Sequence, residues 1–439
     1  MEFYDRDNEI AKLLETRELS QKFAQFTVLT GRRRIGKTSL VMKAYEDEPF
    51  LYFFVSRSSE SELCSEYAEE LATKLGIPVL GRVERFADLF QYVMQMSKSR
   101  PVTLLIDEFQ DFSRVNESIF SQMQKIWDLN KTGAHLNLIV CGSVYSMMTK
   151  LFRDKKEPLY GRQTEFIRID PFAPSVLKQI IKTYHTEYTK EDLLALFAFT
   201  GGVAKYVELL MDAGATDTKK MLERIVVKDS YFIPEGKNML IEEFGRDYGR
   251  YFDILKLIAN GHNSRGDIEG ILQAEISGYL TRLEKDYGLI VKNRPMFQQS
   301  ANKNIRYAIG DSFLQFWFRF IYKYNSFIEA NAYGKLVELI LRDYPTYSGK
   351  ILERYFKAML IESGAFTHID SWWDRKGENE IDIIAADDME KMVTFYEVKR
   401  QRKELDMGVL KNKVQCFLNT TGEYSNYKIS YKGLCMDDM

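Results

Sequence analysis

FTVLT, Phe26 to Thr30, followed by GRRRIGKTSL, Gly31 to Leu40, is the stretch that decides the fold of this 439-residue chain. Five consecutive apolar or β-branched residues have the length and character of a short buried strand. Two glycines then bracket four residues, and TSLVMKAYE, Thr38 to Glu46, resumes at helical spacing. A glycine-bounded turn between strand and helix aims backbone N–H groups and the positive end of the helix at an anion. The pattern G-x4-G-K-[ST] adds an ammonium for the β- and γ-phosphates and a hydroxyl for Mg²⁺. The loop Gly31, Arg32, Arg33, Arg34, Ile35, Gly36, Lys37, Thr38 and Ser39 is therefore expected to wrap the phosphates of ATP.

Outward from this loop, apolar runs recur between helical stretches: LYFFV (Leu51 to Val55), VTLLID (Val102 to Asp107) and LNLIVCGS (Leu136 to Ser143). Buried strands alternating with helices predict a parallel sheet covered on both faces. The third run ends in Asp107-Glu108. An acidic pair at a strand end beside a phosphate loop suits Mg²⁺ on Asp107 and a water-activating carboxylate at Glu108. Ser143, closing the fourth run, is a candidate sensor of the γ-phosphate.

Bulk composition narrows the class. Lys+Arg number 61 against 63 Asp+Glu, a formal net charge of −2, so any basic surface must be local. Four scattered cysteines contain no CxxC pair, which argues against a zinc ribbon or a disulfide framework. The N-terminus MEFYDRDNEI lacks the basic flank and apolar stretch of a secretion signal, and no apolar run approaches the ~20 residues of a membrane span. A cytoplasmic protein without a membrane partner is expected.

Six motifs in order, FYDRDNEI, GRRRIGKTSL, LLIDEFQ, LIVCGS, PLYGR and TGGVAKYVE, resemble the archaeal-type ATPases of the STAND/AAA+ class across about the first half of the chain. The resemblance implies a nucleotide-binding core, a helical lid and then a winged helix. It also implies that Arg6 lies near the adenine side, that Arg162 is a candidate γ-phosphate arginine, and that the Gly201–Gly202 loop borders the nucleotide. Family members often carry proline where this chain has Ala204.

Three helical stretches (YFDILKLIAN, RGDIEGIL, AEISGYLTRLEKDYG) and two short β runs (LIVKNRP, NIRYAIGD) follow from Tyr248, the order of a winged helix-turn-helix. Between Leu280 and Arg306 the basic residues Arg282, Lys285, Lys292, Arg294, Lys303 and Arg306 oppose Glu284 and Asp286, so the module suits either nonspecific duplex contact or protein scaffolding. FLQFWFRFIYKY, Phe313 to Tyr324, is a very aromatic helix expected to be buried.

The last constellation is Glu353, Asp382, Glu397 and Lys399. Glu353 rides on the amphipathic helix ILERYFKAMLI. Strand alternation turns Asp382 away from Ile381 and Ile383, and puts Glu397 and Lys399 on one face. Side by side, Asp382 and Glu397 could bind Mg²⁺, with Lys399 positioning water or stabilising charge and Glu353 assisting. This helix–D–ExK order resembles the PD-(D/E)xK nuclease superfamily of restriction endonucleases and Holliday-junction resolvases. The segment from Phe313 to Phe417 further resembles the C-terminal domain of uncharacterised function that accompanies archaeal-type ATPases.

The expected fold is α/β: a P-loop ATPase parallel sheet with a helical lid, then a winged helix-turn-helix and a C-terminal restriction-endonuclease-like α/β domain. The expected limits are 1–172 for the core, 173–240 for the lid, 241–312 for the winged helix, 313–345 for an aromatic helical connector and 346–439 for the nuclease-like domain. Function reads as an ATP-hydrolysing enzyme regulating attached DNA-binding and nuclease-like domains, in DNA processing or defence, with DNA and a protein partner or second copy of the chain as expected partners. A STAND-type signalling switch with a non-cleaving tail, and an ATP-responsive winged-helix transcription regulator, are the alternatives.

Overall fold

The computed structural model describes residues 1–76, 81–245, 248–297 and 304–439. The chain divides into two compact units, Asp5–Asp170, and Met1–Tyr4 together with Pro171–Met439.

The first unit is a five-stranded sheet of β1 (Gln25–Gly31), β2 (Leu51–Phe54), β3 (Val102–Asp107), β4 (Leu136–Cys141) and β5 (Glu165–Ile169), in the order β2-β3-β4-β1-β5. All its pairings are parallel. The helices are α1 (Asp7–Ser20), α2 (Lys37–Ala44), α3 (Glu60–Leu75), α4 (Phe86–Met96), α5 (Phe112–Val115), α6 (Ser118–Asn130) and α7 (Tyr145–Arg153). Every residue of β1 and β4 is buried, as central strands covered on both faces require. Phe26 from β1 meets Trp127 of α6 edge-on at 5.1 Å between ring centroids, within a core that includes Phe53, Phe90 and Phe109. Strand β5 is absent from the sequence reading. Only Ile167 and Ile169 of its five residues are buried, so this edge strand lacks the continuous apolar run of its neighbours.

The second unit begins with helices α8 (Pro174–Tyr184), α9 (Lys190–Thr200), α10 (Ala204–Met211), α11 (Thr218–Ile225) and α12 (Phe232–Phe244). Then come α13 (Tyr248–Ala259), α14 (Arg265–Leu272), α15 (Ser277–Lys285) and the antiparallel pair β6 (Ile290–Asn293) and β7 (Arg306–Ile309). The aromatic stretch is α16 (Ser312–Phe316) running into a π-helical turn at Trp317–Tyr322, with Phe313, Phe316, Trp317, Phe318 and Phe320 all buried. After α17 (Asn325–Glu329), the 30-residue α18 (Tyr333–Glu362) runs without a break through Pro345, so the limit expected at 345/346 falls inside one helix.

A four-stranded sheet follows, ordered β11-β10-β9-β8. It comprises β8 (His368–Trp373), β9 (Glu380–Asp387), β10 (Met392–Val398) and β11 (Lys428–Leu434), with α19 (Met407–Thr421) crossing between the parallel pair β10 and β11. The other pairings are antiparallel. Strand β8 is a second one that the sequence reading omits. Asp370 and Ser371 interrupt its apolar pattern, and its register shifts between Asp370 and Trp372.

The β6–β7 hairpin is fastened to this sheet. The Met296 N–H donates to the Ser371 carbonyl at 3.0 Å, Trp373 Nε1 donates to the Asn304 carbonyl at 3.0 Å, and Arg306 pairs with Glu380 at 2.9 Å. Arg306 also lies over the Trp373 ring, 4.4 Å from its centroid. Of the basic residues expected on a wing, Arg306 therefore faces protein, Arg282, Lys285 and Arg294 are exposed, and Lys303 lies outside the described residues. Among the described residues no helix is long and apolar enough to cross a membrane.

Candidate nucleotide site and C-terminal acidic cluster

The phosphate loop forms where β1 ends and α2 begins. Gly31 has φ 156°, and a Cβ there would stand 2.7 Å from the Ile169 carbonyl oxygen, so only glycine lets the loop leave the sheet against β5. Arg34 and Gly36 take the left-handed region at φ 67° and 96°, folding the chain into a concave turn above buried Ile35. Lys37 is buried, and its Nζ stands 3.0 Å from the carbonyls of both Gly31 and Arg32. The ammonium is thus drawn across the mouth of the turn, while Ser39 on the next step of α2 is exposed.

Thr38 donates its hydroxyl to Asp107 Oδ2 at 2.7 Å. Asp107 is buried at the end of β3, and three further donors fix it: Tyr52 OH at 3.2 Å, the Glu108 N–H at 2.9 Å and Cys141 Sγ at 2.9 Å. Burial first, and Asp107 second, push the Cys141 thiol well above its ordinary range, and the same two causes raise the Tyr52 phenol. Both therefore remain protonated donors to the carboxylate. A hydroxyl and a carboxylate facing each other are hard oxygen donors of the kind Mg²⁺ takes alongside water and phosphate oxygens. Thr38 and Asp107 fit that ion.

Glu108 has φ 53°, which turns its side chain off the sheet edge. Its Oε2 accepts from Gln110 Nε2 at 2.7 Å, Ser143 Oγ at 2.7 Å and the Ser143 N–H at 3.2 Å. A Cβ at Gly142 would come within 2.1 Å of Gln110 Oε1, so this glycine is what admits Gln110 beside Glu108. Sequence reasoning singled out Ser143 as a candidate phosphate sensor. Its hydroxyl and N–H hold Glu108. Tyr52, Cys141 and Gln110 were missed altogether, although strand register holds a signal for two of them: Phe54 pairs with Asp107, and Ile106 with Val140.

The residues named by resemblance have partners of their own. Arg162 donates to the Tyr160 carbonyl at 2.8 Å and to Asp128 at 3.2 Å. Buried Arg6 donates to the Asp170 carbonyl at 2.6 Å and pairs with Glu9 at 3.5 Å. Gly201 and Gly202 both have positive φ, and the Gly202 carbonyl accepts from the Phe172 N–H at 2.8 Å.

A glycine-bounded loop, its lysine and a hydrogen-bonded pair of Thr38 at the start of α2 and Asp107 at the end of β3 define the P-loop nucleotide-binding class. Comparison with known proteins gives the family. Residues 3–210 match an ATPase domain found predominantly in Archaea, and residues 317–410 match archaeal and bacterial proteins of unknown function. An uncharacterized protein of Methanocaldococcus jannaschii is 30% identical over 407 residues, spanning 90% of this chain and 87% of its own. The chain belongs to this archaeal-type ATPase family, and with it to the ATP-binding P-loop ATPases. A Walker-type ATPase of Pyrococcus abyssi is similar in structure with a TM-score of 0.54 at 21% identity, covering 72% of this chain and 96% of that one. The ORC2 protein of Aeropyrum pernix, solved as ADPNP–ADP complexes, gives 0.51 at 12% identity, covering 78% and 96%. At these identities both likenesses concern fold.

The second constellation converges on one end of the C-terminal sheet. Tyr396 lies opposite Ile383 in the β9–β10 register, which brings Asp382 level with Glu397. Asp382 Oδ2 accepts from the Val398 N–H at 2.8 Å. Glu397 is 4% exposed, with Lys399 Nζ 2.7 Å from Oε1 and Lys413 Nζ 3.1 and 2.9 Å from Oε1 and Oε2. Lys413, from α19, was missed by sequence reasoning, because nothing local links it to Glu397, sixteen residues earlier. Glu353 on α18 pairs with Lys350 at 3.1 Å.

Burial pushes the Glu353 carboxyl up to about 7 against the pull of Lys350, with Asp382 adding to the rise. Asp382 is raised by burial and by Glu397, against the Val398 hydrogen bond. Burial works against the Lys399 ammonium, but the Glu397 hydrogen bond and the Asp382 charge outweigh it and hold it protonated. Among the described residues no three His, Cys, Asp or Glu side chains group so as to hold a metal ion by themselves. Asp382 and Glu397 supply two carboxylates, a set that suits Mg²⁺, which keeps several waters and takes substrate phosphate oxygens.

Proposed function

We propose that this chain hydrolyses ATP at the Gly31–Ser39 loop and uses the nucleotide state to govern a Mg²⁺-dependent, DNA-cleaving site formed by Glu353, Asp382, Glu397 and Lys399. At the first site the loop amides and Lys37 bind the phosphates, and Mg²⁺ on Thr38 and Asp107 would neutralise the β- and γ-oxygens. The three donors to Glu108 Oε2 fix the carboxylate plane and leave Oε1 to orient the attacking water. At the second site Mg²⁺ on Asp382 and Glu397 would supply an activated water and neutralise the phosphodiester. Lys399 is placed to stabilise charge on the phosphate, and Glu353, with its raised proton affinity, to give or take a proton.

The observation that carries the nuclease reading is the meeting of Asp382 with the Glu397–Lys399 strand end through the Val398 N–H. Regulation rests on Arg400, the residue after Lys399, which pairs with Glu191 of α9 and donates to Ser348 of α18. In this reading α8–α12 form the lid, and α13–α15 with the β6–β7 hairpin form the winged helix. The test is a cleavage screen over linear, supercoiled and branched DNA with Mg²⁺ or Mn²⁺, with and without ATP. Nicking that disappears in Asp382→Ala supports the reading; intact DNA under every condition rejects it.

One observation favours the switch with a non-cleaving tail. Two ammonium groups hold both oxygens of Glu397, so the ExK strand end could persist as a structural ion cluster. Under that reading ATP turns over slowly and all DNA stays whole.

A further inference from the structure

A cleft of about 660 Å³ opens within the second unit, between the β6–β7 hairpin, α18 and β9. Glu353 and Asp382 line it, and so do four cationic side chains, Arg306, Lys350, Arg354 and Lys357. Three of the four are matched by carboxylates: Arg306 with Glu380 at 2.9 Å, Lys350 with Glu353 at 3.1 Å, and Lys357 with Asp370 at 3.2 Å. Arg354 differs. Its Nη2 donates to the Ile309 carbonyl at 2.7 Å, its Nη1 is shielded from solvent with no hydrogen-bond partner, and it forms no ion pair among the described residues. Burial lowers its proton affinity. An unmatched guanidinium N–H out of water is a standing cost that an anionic oxygen removes.

The dimensions and lining narrow that anion. The volume lies in the ~300–1,000 Å³ range of small-ligand sites, room for a nucleotide or two of single strand. A duplex would have to lie across the mouth of such a space rather than enter it. Val291 on the hairpin and Ile361 on α18 present exposed apolar surface to the same cleft, suited to unpaired base faces.

We propose that this cleft grips a single DNA strand by its phosphates, Arg354 being the anchoring guanidinium, and leads that strand to Asp382 and Glu353. The consequence for cleavage rests on the nuclease reading; strand binding does not. The hairpin then serves as one wall of a strand channel rather than as a wing laid along duplex, in keeping with the inward turn of Arg306.

The experiment is fluorescence anisotropy of the full-length chain in EDTA, with fluorescein-labelled oligothymidylate compared with a blunt duplex of equal length. The single strand should bind more tightly, with affinity falling as salt rises. Arg354→Met, which keeps the stem of the side chain, should weaken it about tenfold, as expected for loss of a charged hydrogen-bond donor. Circular dichroism reports whether that variant is folded, and Lys357→Met, one turn away on a more exposed face, is the second handle should it not be. Duplex preferred over single strand, or both variants binding like wild type, would overturn the proposal. Arg354-dependent binding without cleavage in Mg²⁺ sustains the cleft and removes the nuclease; cleavage with undiminished binding by folded Arg354→Met does the reverse.

Discussion

The proposed function gives Lys37 and Glu108 separable work, and their variants should part company. Lys37 holds its Nζ over the carbonyls of Gly31 and Arg32, at the mouth of the turn. Lys37→Ala should abolish ATP binding measured by calorimetry, and unchanged affinity would remove the loop from the account. Glu108 is held by Gln110 and Ser143. Glu108→Gln should bind ATP normally and turn it over at least about tenfold more slowly, since a positioned base contributes ~10²–10⁴-fold. Equal turnover would make Glu108 structural. The loop was legible in sequence because each fixed position has its own steric or charge requirement. Tyr52, Cys141 and Gln110 were not, because their roles follow from strand register and a close approach at Gly142.

Glu353 gives a pH signature in metal-free protein. Its folded carboxyl sits at about 7 against an ordinary 4.5, so between those values the native state holds a proton that the unfolded chain releases. The stability it lends is complete below about 4.5 and is lost as pH rises through about 7. Glu353→Gln cannot titrate and should flatten this fall. Melting temperatures in EDTA across that span would show it, and parallel curves for the two proteins would mean that Glu353 ionises freely.

At the scale of elements, α9 is tied to the segment that follows β10, the link on which the proposed control rests. Glu191 of α9 pairs with Arg400, two residues past the end of β10. Glu191→Ala should leave ATP turnover intact while removing the difference between nucleotide-bound and nucleotide-free protein in DNA cleavage. Persistence of that difference would place control elsewhere. Among the strands, the buried runs were readable, whereas β5 and β8 were not: one is a half-exposed edge, and the other carries Asp370 and Ser371 across a register shift. Period-2 reading depends on one face being uniformly apolar. Residues on either side of the expected limit at 345/346 read as helical, but that they form the single helix α18, continuous through Pro345, was not legible.

Across the whole molecule, the parallel sheet of residues 5–170 followed from alternation of buried runs and helices. Asp382 and Glu397 come level because they lie on neighbouring antiparallel strands joined by a short turn, an order that strand alternation makes readable. What spacing could not disclose is that the β6–β7 hairpin leans on that sheet through Met296, Asn304 and Arg306. Such long-range fastening has no local periodicity to announce it.

The unbroken course of α18 carries a practical lesson for dissecting this protein. A fragment begun at Tyr347 would start mid-helix, and would lack the hairpin that contributes Met296 to the apolar core beneath β8. One ended at residue 410 would stop in the first turn of α19 and lose both Lys413 and β11. Neither excised piece should fold unaided, so an inactive fragment would say nothing of the intact enzyme.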